Sequence, residues 1–255
     1  MTESYPHDFS DSVRSHLPKI QYQTALETVS LADGLSIQLE TLKNLNETID
    51  QVFEILAREG KPDLLEKLCP YFGVVWPSAR ALVEVLSRGE FMKGAKSALE
   101  IGCGLAIPSL ALAKVGHPVF ATDFHPEVPR FLTRNIALNR IAAEHLQYQA
   151  LDWAQDAQAL ATFSRQYGPF DRVYGSDILY ESHHADRVPE VLDQLLHPNN
   201  GRALIADPAR PYLQRFVDQM EKQGFQAKTE ILTAQDHPVP KEIFVIEFER
   251  TRLRV

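Results

Sequence analysis

Residues 97–107 read Ser97-Ala98-Leu99-Glu100-Ile101-Gly102-Cys103-Gly104-Leu105-Ala106-Ile107. A short apolar run carrying one carboxylate gives way to two glycines one residue apart, and an apolar stretch opened by Pro108 follows. Apolar runs of this length bounded by glycine are buried strands, and proline suits the first turn of a helix. The segment therefore reads as strand, tight turn, helix.

The same alternation continues outward. Strands are predicted at 97–101, 119–122, 146–151, 171–175 and 203–206, with helices at 108–115, 129–139, 155–167, 185–196 and 212–223. Strands separated by helices of this length form βαβ units, hence a parallel sheet covered on both faces. The last two strands, 227–232 and 242–249, leave no room for a helix between them and add an antiparallel edge. The predicted fold class is α/β: a Rossmann-like seven-stranded, mainly parallel sheet with an antiparallel edge.

Upstream of a helix predicted at 77–86, the pattern differs. Tyr22, Leu26 and Val29 precede Ala32-Asp33-Gly34, after which Leu35, Ile37 and Leu39 alternate with polar residues. Period two beyond Asp-Gly is a hairpin signal. Asn46 reads as the N-cap of a helix through Ile49, Val52, Phe53 and Leu56, ending near Gly60. Pro62 opens a second short helix, at 63–69. The division is a flexible tail at 1–18, a hairpin and helical extension at 19–75, and one main domain at 76–255.

Composition bounds the function. The 255 residues carry 26 Lys and Arg against 34 Asp and Glu, a formal charge of −8, with 44% hydrophobic and 24% charged residues. Such a chain folds, and its acidic surplus disfavours nucleic acid as a partner. Cys69 and Cys103 are too few for a disulfide scaffold or a thiolate zinc site. No apolar run approaches the roughly 20 residues that span a bilayer, and the polar start resembles no signal peptide. A cytoplasmic, monomeric protein without membrane contact is expected.

Ligands of open α/β sheets bind beyond the carboxyl ends of the strands. Four such loops carry chemistry. Gly102 and Gly104, with Cys103 between them, allow close backbone approach to a ligand. A dinucleotide fingerprint would need a small residue where bulky Ile107 stands, which argues against a dehydrogenase. Asp123, 19 residues beyond Gly104, is placed to accept ribose hydroxyls or to cap the following helix. Asp152 and Trp153 suit an adenine edge and face, or a cap and a core anchor. Ser176 and Asp177, followed by Tyr180, place an acid and an aromatic where a cationic amine would be received. A solvated helix cap is the alternative for Asp177.

Together these residues resemble the class I, seven-strand S-adenosylmethionine-dependent methyltransferases, and within them the family-16 group that contains many protein-lysine methyltransferases. Glu100-x-Gly102-x-Gly104 is similar to the first motif of that family, Asp123 to its ribose acid and Trp153 to a cofactor-contacting tryptophan. Asp177-Ile178-Leu179-Tyr180 resembles its D-x-x-Y signature. Trp76, in Val75-Trp76-Pro77-Ser78-Ala79, resembles a tryptophan that borders the cofactor. Asp207-Pro208-Ala209-Arg210-Pro211 is similar to a stretch in the electron-transfer flavoprotein β-subunit lysine methyltransferases, which carry Phe where Leu179 stands.

The resemblance implies S-adenosylmethionine as cofactor, S-adenosylhomocysteine as product, and a lysine of a protein substrate or a small amine as acceptor. It implies Asp177 and Tyr180 as the residues facing the amine. Trp76, Glu100, Gly102, Cys103, Gly104, Asp123, Asp152, Trp153 and Ser176 would then surround the cofactor. A small-molecule N-methyltransferase of the nicotinamide type and a non-catalytic cofactor-binding domain are the alternatives. His183 and His184 lack a third ligand at a recognisable spacing, so no metal is expected. Arg210 reads equally as a ligand for an acidic group or as a surface residue.

Overall fold

A computed structural model describes residues 20–31, 34–153, 157–234 and 240–251. The predicted tail at 1–18 and the Ala32-Asp33 turn lie outside the described residues.

The extension begins with strands β1 (Thr24–Ser30) and β2 (Ser36–Leu42), paired antiparallel with Val29 opposite Ile37. Helix α1 (Leu45–Arg58) follows and buries Thr48, Val52 and Leu56, one stripe at helical spacing. Its cap is Asn44, not the predicted Asn46. The Asn44 side chain accepts from Glu47 N and donates to Glu47 Oε1, 2.9 Å away, so residue and partner satisfy each other's end groups. Pro62–Leu64 form a 3-10 turn running into the short helix α2 (Leu65–Leu68), and Pro70–Gly73 form another 3-10 turn. The single helix predicted at 63–69 is thus divided between two turn types, and the turn opened by Pro70 has no counterpart in the predicted elements. Each proline opens its own turn because it has no N–H to continue the one before it.

The main domain runs α3 (Pro77–Ser87), β3 (Ala98–Ile101), α4 (Ile107–Lys114), β4 (Val119–Asp123), α5 (Val128–Asn139), β5 (Leu146–Ala150) and α6 (Ala157–Tyr167). It continues with β6 (Arg172–Ser176), α7 (His184–Leu195), β7 (Arg202–Asp207), α8 (Leu213–Lys222), β8 (Phe225–Ala234) and β9 (Lys241–Arg250). The sheet order is β5-β4-β3-β6-β7-β9-β8, with β9 antiparallel to both of its neighbours. The predicted mainly parallel sheet with an antiparallel edge is the observed one.

Alternate residues of the strands feed two cores. Leu99, Ile101, Val173, Ala203 and Ile205 pack toward α6, α7 and α8, while Ala98, Tyr174, Leu204 and Ala206 pack toward the hairpin, α3, α4 and α5. The hairpin is fastened to α5 by two asparagines four residues apart. Asn135 Oδ1 accepts from Glu40 N at 2.7 Å, and Asn139 accepts from Gln38 N and donates to Gln38 O. These side chains satisfy backbone groups on β2 that would otherwise be left unpaired. Strand order reverses at β3, between β4 and β6, so the ligand crevice of the sheet opens above Ile101, Asp123 and Ser176.

Candidate functional site

The turn after β3 is held in an unusual backbone. Gly102, Gly104 and Ala106 all have positive φ, at 62°, 52° and 55°. Cys103 N donates to Thr122 O, which ties the turn to the end of β4. A Cβ on Gly102 would stand 2.9 Å from Ile178 Cγ2, so only glycine lets the D-x-x-Y loop approach this closely. Phe72 from the extension covers the other side, its carbonyl 3.1 Å from where a Cβ on Gly104 would lie. Sequence reading gave no sign of Phe72 here, since it lies 32 positions away in an unrelated turn.

Glu100 is fully buried. Its Oε2 accepts from Ser109 N at 3.0 Å and from Ser109 Oγ at 2.5 Å, and Ser109 Oγ meets Tyr174 Oη at 2.9 Å. Burial pushes this carboxyl up to about 8, against the pull of the Ser109 bonds. Cys103 sits beside it, and burial, with Asp123 and Glu100 nearby, pushes the thiol well above its ordinary value. A thiol so held is not a nucleophile at neutral pH.

Asp123 closes β4 with 7% exposure. Its Oδ2 accepts from Gly104 N at 2.9 Å and its Oδ1 from His125 N at 2.8 Å. Burial raises its pKa, and the backbone donors of His125 and Gly104 oppose that rise. The carboxylate therefore faces the glycine turn. Tyr148 Oη and Leu151 N both donate to Asp123 O, binding the ends of β4 and β5 together. Just beyond, Asp152 and Trp153 line a cavity of about 40 Å³ together with Phe124, Tyr180, Glu181 and His184. Trp153 is buried, its ring 5.3 Å from that of His184.

Asp177 leaves β6 with φ of 57° and its N–H on Ala206 O. Its Oδ1 is 2.7 Å from the Arg210 guanidinium, which also reaches Asp207 Oδ2 at 2.9 Å. Its Oδ2 is buried and makes no hydrogen bond of good geometry among the described residues. Burial raises the pKa of Asp177, and Arg210, then the nearby Ser78 hydroxyl, draw it back. Arg210 is thus neither a surface residue nor a free ligand for acidic groups, because two carboxylates already hold it. Ser176 pairs with Ala206 on β7, one residue before the acid. Tyr180 presents 46% of its surface and packs edge-on against His184 at 4.6 Å.

Trp76 does not line the cavity shared by Asp152, Trp153 and Tyr180. It donates from Nε1 to Tyr71 O at 3.0 Å and lines a separate groove of about 860 Å³. Leu31 and Leu45 of the extension, Arg80 on α3 and Leu232 on β8 line the same groove. Ser78, two residues beyond Trp76, is the hydroxyl near Asp177, and neither Ser78 nor Asp177 lines the groove.

Fold and site define a class I, Rossmann-like methyltransferase architecture. The chain belongs to the lysine methyltransferase family, whose model matches residues 70–223. It is 31% identical over 144 residues to the histone-arginine methyltransferase METTL23 of Xenopus laevis, covering 52% of this chain and 58% of that one. It is 27% identical over 152 residues to the electron transfer flavoprotein beta subunit lysine methyltransferase of the same organism, covering 59% and 57%. The chain thus spans under three-fifths of the length of these relatives. Among solved structures, a putative SAM-dependent methyltransferase from Streptococcus mutans superposes with a TM-score of 0.58 at 12% identity, covering 90% of this chain and 56% of that one.

S-adenosylmethionine is the cofactor that this family implies. The residues present fit it by their chemistry. A glycine turn meets a buried carboxylate suited to vicinal hydroxyls, and an acid and an indole lie beyond it for an aminopurine. Among the described residues, no helix is long and apolar enough to cross a membrane.

Proposed function

We propose that this chain is an S-adenosylmethionine-dependent N-methyltransferase whose acceptor is a lysine side chain of a protein. The observation that carries the reading is the position of Asp177. It stands at the end of central strand β6, where the next residue, Ile178, lies against the glycine turn. The lysine methyltransferase family to which the chain belongs supports a protein lysine over a small amine as acceptor.

Roles follow from the chemistry. When bound, the cofactor supplies an already activated methyl, so the protein has mainly to align the acceptor and keep water out. Asp123 would accept the ribose hydroxyls, with Gly102, Cys103 and Gly104 lying along the cofactor. Asp152 and Trp153 would hold its adenine end. Glu100, tied to Ser109, supports the turn from beneath and has no direct part in transfer. Asp177 would orient the incoming amine through Oδ2, the oxygen that Arg210 leaves unengaged, and Tyr180 would shape the entrance. The amine must be neutral to attack, and in this reading Asp177 would be the group to take its proton.

The test is to incubate the protein with methyl-labelled S-adenosylmethionine and a lysate of its own source cells, with Asp177→Ala as control. A discrete labelled protein, carrying methyl-lysine on hydrolysis and absent with the variant, is the expected result. Label confined to small metabolites would overturn the protein-substrate reading. Cofactor binding without any transfer would favour a binding domain.

A further inference from the structure

The two adjacent histidines after the D-x-x-Y loop do have a third partner. Glu181, His183 and His184 each offer one ligand atom, and these atoms lie within 4.8 Å of one another. Glu181 Oε2 is already 3.2 Å from His183 Nδ1, and the rings of His183 and His184 are 4.4 Å apart. The signal in the sequence is Glu181-Ser182-His183-His184, a spacing too short to resemble the usual separated zinc motifs.

A second observation points to a ligand. His184 is 2% exposed, and although the Ile178 backbone interacts with its ring, its Nδ1 makes no hydrogen bond of good geometry among the described residues. A buried polar nitrogen left unmet is costly, so a partner that meets it would be favoured. The ring is not free to turn easily. Tyr180 meets it edge-on at 4.6 Å and Trp153 packs at 5.3 Å. The other two groups are accessible, with 34% of the Glu181 side chain and 50% of the His183 side chain exposed. An ion therefore has a way in, one buried ligand and two partly exposed ones.

We propose that Glu181, His183 and His184 form a binding site for a divalent transition-metal ion of the zinc type. Two imidazoles and a carboxylate select borderline ions such as Zn²⁺, Co²⁺ or Ni²⁺ over Mg²⁺ and Ca²⁺, which prefer all-oxygen shells. Zinc bonds of about 2.0–2.2 Å place tetrahedral ligands about 3.3 Å apart. The ligand atoms, within 4.8 Å of one another, would close by about 1.5 Å at most to reach that spacing. The surrounding field helps. Among the described residues lining this cavity, Glu66, Asp152 and Glu181 outweigh the cation Lys67. Three protein ligands leave a fourth position for water or another donor. Glu181 and His184 are also walls of the cavity next to Asp152 and Trp153, so an ion there would fix that wall.

The site is tested by titrating the full chain with Zn²⁺ by calorimetry, and with Co²⁺ by its visible absorption, in a non-chelating buffer. One ion per chain is expected, with Co²⁺ bands of low-symmetry nitrogen and oxygen ligation. His183→Ala and Glu181→Gln, both at accessible side chains, should each weaken Zn²⁺ binding at least about tenfold without lowering the melting temperature of the metal-free protein. Absence of stoichiometric binding would overturn the proposal. So would binding that survives both substitutions, since the ion would then sit elsewhere. No outcome depends on methyl transfer, so the site and the enzymatic reading stand or fall separately.

Discussion

Asp177 and Arg210 form a largely buried ion pair, with 2.7 Å between carboxylate and guanidinium and only 9% and 23% of the two side chains exposed. The same guanidinium reaches Asp207, which is fully buried, and Arg210 N donates to Asp207 Oδ1. Arg210 is therefore a cation shared by two carboxylates at adjacent strand ends. Removing it would leave both acids facing each other away from water. Loss of one partner of a buried pair costs about 3–5 kcal/mol. Arg210→Ala should accordingly lower the melting temperature by about 10 °C, at roughly 2–4 °C per kcal/mol for a chain of this size. Asp177→Asn should cost clearly less, because Arg210 keeps Asp207. Thermal denaturation of the two variants checks the order, and equal or reversed losses would contradict the pairing.

The legible part of this fold is the part written locally. Leu99 and Ile101, Ala203 and Ile205 alternate along their strands, and glycine or proline punctuates each end, so the strand sequence and the antiparallel edge follow from neighbours in the chain. The cap at Asn44 is missed by the sequence reading, which takes Asn46, although Glu47 follows Asn44 by three and Asn46 is followed at that distance by Ile49. The Asp177–Arg210 pair was not legible. The residues stand 33 positions apart and meet only because β6 and β7 are neighbours in the sheet. Phe72 against Gly104 was missed for the same reason, and Glu181 beside His183 because the spacing alone does not fix how the two side chains turn. Each is a packing outcome or a rotamer, and no periodic pattern marks either.

In the proposed reading Asp123 would meet the cofactor's ribose, and its two oxygens accept from Gly104 N and His125 N. Hydrogen bonds to a charged group are worth about 1.5–3 kcal/mol each. Asp123→Ala should therefore weaken binding of S-adenosylhomocysteine by about ten- to a hundredfold. Calorimetry below the variant's melting temperature measures this directly. Unchanged affinity would mean that the carboxylate serves only the turn.

Gly102 lets the D-x-x-Y loop lie against the glycine turn. Gly102→Ala meets two penalties: a non-glycine residue at φ of 62°, and a Cβ 2.9 Å from Ile178 Cγ2. The first costs about 1–2 kcal/mol. The second depends on how far Ile178 can yield, and Ile178 is 2% exposed. Gly89 has φ of 76°, and among the described residues nothing lies within 4 Å of where its Cβ would stand, so Gly89→Ala carries the backbone penalty alone. Gly102→Ala should thus be the more destabilising of the two in urea denaturation. Adding Ile178→Ala should produce a loss smaller than the sum of the single losses. Strict additivity would show that the two residues do not meet.

Glu100 makes stability fall with pH. Its carboxyl, pushed up to about 8 by burial, keeps its proton in the folded chain across a window in which the unfolded chain, at about 4.5, has released it. The unfolded state then binds fewer protons, so the contribution of Glu100 is complete below about 4.5 and is lost as pH rises to about 8. Above that, both states are ionised and the dependence levels off. Glu100→Gln keeps a neutral side chain that can still accept from Ser109 N, and it carries no proton to lose. The melting temperature of the variant relative to wild type should therefore rise steadily between about pH 5 and about pH 8.5, by several degrees. A difference that stays constant over this range would show that Glu100 is ionised in the core, and Ser109 and Tyr174 would then be solvating a charge instead of orienting a neutral acid.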